Sequence, residues 1–175
     1  MPEIISHSFD MVIDEIGFVA ETYHRLLLLV SQPPAEASRL IANIGAHLNC
    51  PVTNLNAELS SALLDLSHRQ RQLKAHKVVG DIVDDEAADL VLFDHTDILF
   101  SPALQLDAVA LLKSLSRNKT VVATWQGEIR GGKIQHAEEW HPEYQSHSID
   151  DVRIIAVDRC EHRDGWKHSG GIFDV

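Results

Sequence analysis

Residues 25–38 constrain the fold more than any other stretch of this chain. Residues 25–30, Arg-Leu-Leu-Leu-Leu-Val, form an apolar run without alternation. That is the pattern of a strand covered on both faces, as in a parallel sheet. Residues 31–38, Ser-Gln-Pro-Pro-Ala-Glu-Ala-Ser, follow as a tight loop, and then a helix begins with Leu40, Ile41, Ile44 and Leu48 on one face. A strand feeding through a short loop into an amphipathic helix demands a second parallel strand beside it. The rest of the chain has to supply a sheet.

The same layout is that of a phosphate-binding loop, G-x-x-x-x-G-K-[S/T]. Laid on that template, the glycine positions hold Ser31 and Glu36, Ala37 stands in place of the lysine, and only Ser38 matches. Glycines let the backbone wrap a phosphate closely. Here Pro33 and Pro34 each lack an N–H donor instead. Glu36 sets a negative charge where an anion would sit, and at ~4 Å like charges repel by about 1 kcal/mol in water and about 4 near a protein surface. Poor nucleotide binding is the expectation, and a plain strand-to-helix turn without ligand is the simplest reading of the loop.

Further strands are expected at residues 51–56, 89–94, 119–124 and 151–157, with a Gly131-Gly132 hairpin between residues 125 and 136. Helical spacing marks residues 8–23, a helix with Leu59, Leu63 and Leu66, and another with Val78, Val79, Ile82 and Val83. A further helix is expected to start at Ser101-Pro102, with Leu104, Val109, Leu112 and Leu115 inward. The fold class is therefore α/β, a three-layer, mostly parallel sheet with helices on both faces. Residues 1–157 form the single domain, and 158–175 a polar C-terminal tail.

Composition narrows the partners. A net charge of −11 opposes independent binding of nucleic acid, which rests on Lys and Arg neutralising phosphates. A basic group at Arg69, Arg71, Lys74 and Lys77 could touch DNA within a larger assembly but reads more simply as a solvated helix end. No apolar run approaches the ~20 residues of a membrane span. Two cysteines without C-x-x-C spacing and no secretion signal fit a reducing cytoplasm.

Candidate chemistry lies at strand ends. Asp94 closes an apolar run, as a magnesium-holding Walker B aspartate does, or it caps the next helix. His95 occupies the usual position of the glutamate that orients water, and Asp97 follows. Thr124 ends the fourth strand at a γ-phosphate sensor position. Arg117 precedes that strand, either as an arginine finger toward a neighbouring subunit or as a cation at a helix C-terminus. The candidate catalytic set is Asp94, His95 and Arg117; the candidate cofactor set is Ser38, Asp94 and Thr124, for ATP with magnesium on Asp94. The cluster from His136 to His147 is rich in histidine and carboxylate but matches no zinc spacing. Trp140 and Tyr144 within it suit a contact surface.

Several segments resemble the small P-loop protein family of BREX phage-resistance systems, BrxF. They are Asn54-Leu-Asn-Ala-Glu-Leu59, the run from Leu92 to Leu104, the run from Leu115 to Gly127 with its Ser-Arg-Asn and Trp-x-Gly, and His141-Pro-Glu-Tyr144. The resemblance spans about residues 10–157. It implies a minimal ASCE-type, AAA-like P-loop NTPase core, with Asp94 in the aspartate role and the lysine role unfilled. It further implies a cytoplasmic accessory or regulatory subunit of anti-phage defence. Such a subunit works through protein contacts beside a larger ATPase, a methyltransferase and a phosphatase-like protein. The alternative it leaves open is an atypical ATPase that binds nucleotide at a homo-oligomer interface.

Overall fold

The computed structural model describes residues 9–157. The polar tail expected from residue 158 lies outside the described residues. Helix α1 (Phe9–Val19) leads into strand β1 (Leu26–Ser31), helix α2 (Ala35–Leu48), strand β2 (Val52–Asn54) and helices α3 (Leu55–Leu63) and α4 (His68–Asp85). Strand β3 (Leu90–Asp94), a 3₁₀ turn at Asp97–Phe100, helix α5 (Ala108–Leu115) and strand β4 (Thr120–Gln126) follow. Strands β5 (Glu128–Arg130), β6 (Lys133–His136), β7 (Gln145–Ser148) and β8 (Arg153–Ala156) complete the described chain.

The main sheet has the order β2-β3-β4-β1-β8, and every pairing in it is parallel. Strand β1 sits inside it, and all six of its residues are buried. Its alternate side chains feed two cores. Leu26, Leu28 and Val30 face one with Phe93, Trp125 and residues of α3, α4 and α5; Leu27 and Leu29 face the other with Val12, Ile16, Ile41 and Ile44 of α1 and α2. Helices thus cover both faces, which explains an apolar run with no period of two.

Local signals fix most helix starts. Asn54 Oδ1 accepts the Ala57 N–H at the start of α3. Ser67 and Gln70 form a reciprocal capping box at α4. At α5 the cap is Asp107, whose carboxylate accepts the Ala110 N–H at 2.9 Å. The expected start at Ser101-Pro102 is therefore corrected. Residues 102–105 form turns, Gln105 has a φ of 50°, and Leu104 is buried from a turn, not from a helix.

The Gly131-Gly132 hairpin is present, with φ values of 58° and 72° that suit a two-residue turn of the primed type. Its strands β5 and β6 join β7 in a separate antiparallel sheet of order β5-β6-β7. Strand β7 was not expected from the sequence.

Candidate functional site

In a parallel sheet the C-terminal ends of all strands share one edge, and that edge gathers Ser38, Asp94 and Thr124. Ser38 lies in the first turns of α2, Asp94 ends β3, and Thr124 lies near the end of β4 between β1 and β3. Asp94 is only 8% exposed. Its Oδ1 accepts the Ser38 hydroxyl at 2.9 Å, the Thr124 hydroxyl at 3.0 Å and the His95 N–H at 2.8 Å. Two strand ends and the first turns of α2 thus bring together the three residues picked from sequence as a cofactor set.

His95 stands beside them with an exposed ring, Nε2 lying 3.6 Å from Asp94 Oδ2. Its backbone takes a left-handed φ of 52°, which histidine tolerates better than most residues. The turn is pinned from several sides: the His95 carbonyl accepts the Asn56 N–H at 2.9 Å, Asn56 Oδ1 accepts the Ile98 N–H at 3.0 Å, and the Thr96 hydroxyl donates to the Thr124 carbonyl at 2.6 Å. Asn56 was not singled out from sequence, because its role depends on α3 lying across this turn.

The loop differs from the sequence expectation. Helix α2 starts at Ala35, inside residues 31–38, so Gln32, Pro33 and Pro34 make the whole connection. Alanine and glutamate are strong helix formers, and Pro34 at the cap has a helical φ of −70° and no N–H to satisfy. The Ala37 N–H is taken by the Ser31 hydroxyl at 3.3 Å. Ala37 is fully buried in the α1/α2 core, so the position of the missing lysine faces protein. Glu36 lies at the positive end of the helix dipole and pairs with Arg39 at 2.8 Å.

These groups fit a nucleotide only in part. Ser38 and Asp94 offer a hydroxyl and a carboxylate of the kind magnesium accepts alongside phosphate oxygens and water. The connection before α2 contains two prolines without N–H donors and no lysine or arginine, and Glu36 follows it in the first turn of the helix.

Arg117 is elsewhere. It precedes β4, at the opposite edge of the sheet from Asp94, with its guanidinium carbon 5.4 Å from the Tyr23 ring centre. Two of the four basic residues on α4 have partners: Arg71 donates to the Leu66 and Leu64 carbonyls at 2.9 Å each, and Lys77 pairs with Asp81 at 2.7 Å, while Arg69 and Lys74 are exposed.

The cluster from 136 to 147 separates by environment. His136 is buried and stacks on Phe100 with ring centres 3.6 Å apart, and His141 is exposed. His147 lies edge-on to Trp125, and Trp140 is 82% exposed. Among the described residues, no three His, Cys, Asp or Glu side chains come together closely enough to hold a metal ion. The Trp-x-Gly element has a packing reason. Trp125 Nε1 donates to the Gln135 carbonyl at 3.1 Å, and a Cβ on Gly127 would lie 1.8 Å from that same oxygen.

Among the described residues no helix is long and apolar enough to cross a membrane. No protein-family model, no curated protein and no solved structure matches the chain.

Proposed function

We propose that this chain is a protein-binding subunit built on a P-loop-like scaffold whose nucleotide machinery is closed upon itself. The observation that carries the reading is the self-satisfied edge. Ser38, Thr124 and the His95 N–H are all bonded to one oxygen of Asp94, while Ser31 takes the Ala37 N–H. A scaffold of this class is supported by the strand order, in which β4 stands between the loop strand β1 and the aspartate strand β3, the additional strand of an ASCE-type core. Contact surface is supplied by exposed Trp140, Tyr23 and Phe18. The biological setting, an accessory subunit of a cytoplasmic BREX-like defence system, rests on the resemblance of the runs from Leu115 to Gly127 and from His141 to Tyr144.

Calorimetry of the full chain with Mg-ATP tests the reading: no saturable heat is expected up to millimolar nucleotide, and a micromolar Kd overturns it. The setting has its own test. In the host, deleting the chain should abolish protection against phage, whereas Ser38→Ala should preserve it.

One observation favours the second reading, an ATPase completed in an oligomer. The Ser38–Asp94 pair keeps the spacing a magnesium site would use. Arg117 lies at the opposite sheet edge, so it could act only in a neighbour's site. Sedimentation showing assembly that depends on Mg-ATP, and that Arg117→Ala abolishes, would establish this alternative.

A further inference from the structure

The C-terminal edge carries a second feature that the Asp94 cluster does not use. A cavity of about 440 Å³ lies between Gln32, Asp97 and the small antiparallel sheet, with His136, Glu138 and Glu143 on its wall. His136 is 5% exposed and held on two sides. Its ring stacks on Phe100 at an interplanar angle of 11°, and Nδ1 lies 2.7 Å from the Gln126 carbonyl oxygen. A carbonyl can only accept, so Nδ1 carries the proton and Nε2 of the neutral ring is a bare acceptor.

Among the described residues, no hydrogen bond reaches that Nε2. Its charged neighbour, 3.7 Å away, is Glu143 Oε2, which is also an acceptor. While the ring is neutral, two acceptors face one another at a cavity wall that also carries the carboxylates of Asp97 and Glu138. Among the described residues Arg130 is the sole lysine or arginine of the lining, and it is paired with Glu128 at 2.9 Å. A donor between His136 and Glu143 would satisfy both. Metal is the poorer candidate, because no three ligating side chains converge among the described residues and metal–oxygen bonds are short, about 2.0–2.6 Å. An N–H donor reaches its acceptors at about 2.9 Å and brings charge as well.

We propose that this cavity receives the cationic end of an arginine or lysine side chain from a partner protein, with His136 Nε2 and Glu143 accepting its N–H groups together. The chain's net charge of −11 draws such a group toward it. Trp140 is next in sequence to His141, which also lines the cavity, and its exposed ring offers an apolar anchor that a peptide would use and a free polyamine would not need. The site depends on neither the defence setting nor the state of the nucleotide loop.

NMR of the histidine ring nitrogens in the full chain tests this at constant ionic strength. Three probes are titrated: an arginine blocked as its N-acetyl methylamide, spermidine, and tetramethylammonium, which has charge but no N–H. A saturable shift of the His136 Nε2 signal is expected with the arginine derivative and none with tetramethylammonium. Glu143→Gln should weaken the response about tenfold, the effect of losing a charged hydrogen bond. Glu143 is partly exposed, so that change leaves the core intact, and the wild-type titration decides the matter without it. No saturable shift, an equal response to tetramethylammonium, or unchanged affinity in Glu143→Gln overturns the site. Saturation by spermidine at lower concentration than the arginine derivative overturns the protein-side-chain assignment.

Discussion

Asp94 shows how a residue of catalytic appearance can act as structure. One oxygen holds two hydroxyls and a backbone N–H, tying α2, β4 and the His95 turn to β3. Asp94→Ala leaves three donors without their acceptor and should lower stability by about 3 kcal/mol, measured by urea unfolding. Thr124→Val keeps the shape and removes one donor, so about 1 kcal/mol is expected. An unchanged midpoint for Asp94→Ala would remove the structural role. Loss of function in that variant therefore says little about chemistry, which makes Ser38→Ala the cleaner probe. Rebuilding the loop with Glu36→Gly and Ala37→Lys should give no nucleotide affinity, since Ala37 is fully buried and the connection keeps both prolines. A millimolar or tighter Kd in calorimetry would show that charge alone had closed the loop. Ser38, Asp94 and Thr124 were legible from sequence because each follows or ends an apolar strand, and parallel strands share an edge. His136 was not, because its burial depends on the pairing of β6 with β7 and on Phe100 arriving from a distant turn.

At the scale of elements, two glycines in helices test how closely the layers approach. In α2 a Cβ on Gly45 would lie 2.8 Å from the Cys50 carbonyl oxygen and 2.8 Å from Val52 Cγ2. The first is backbone and cannot yield cheaply. Gly45→Ala should therefore lose about 1–2 kcal/mol despite the better helix propensity of alanine. In α4 the nearest atom to a Cβ on Gly80 is Leu115 Cδ2 at 3.8 Å, an ordinary contact. Gly80→Ala should gain about 0.5–1 kcal/mol. Thermal unfolding of the pair checks both signs, and equal shifts would contradict the packing described. The same contrast separates what the sequence reveals from what it hides. Strands β1, β3 and β4 announce themselves as apolar runs because helices cover both faces. Strand β7 reads Gln-Ser-His-Ser, with no apolar residue, and exists through pairing with β6. The start of α5 was misplaced for a local reason, since Asp107 sets it more strongly than Ser101-Pro102, whereas α2 starts directly after the prolines that end the strand connection.

Taken whole, the molecule is a covered parallel sheet with a small antiparallel sheet fastened to one end, and the fastening is polar. Gln145 of β7 accepts the Ala108 N–H at 3.4 Å and donates to the Leu106 carbonyl at 3.1 Å, so β7 is tied to the start of α5. His147 completes the seam. Its Nε2 donates to Gln145 Oε1 at 2.9 Å, its ring meets Trp125 edge-on, and Nδ1 lies 3.5 Å from Asp107. Burial pushes its pKa below the ordinary histidine value, and the Asp107 carboxylate offsets only part of that effect. The unfolded chain therefore binds a proton at His147 before the folded chain does. This contribution to stability is complete above about pH 6.5 and declines as pH falls from there toward the lowered folded value. Unfolding midpoints of the wild type should accordingly drop between pH 7.5 and pH 5.5, and His147→Gln should flatten that slope while retaining a side chain able to donate to Gln145. An equal slope in the variant would place the acid sensitivity elsewhere and leave the seam held by Gln145 alone.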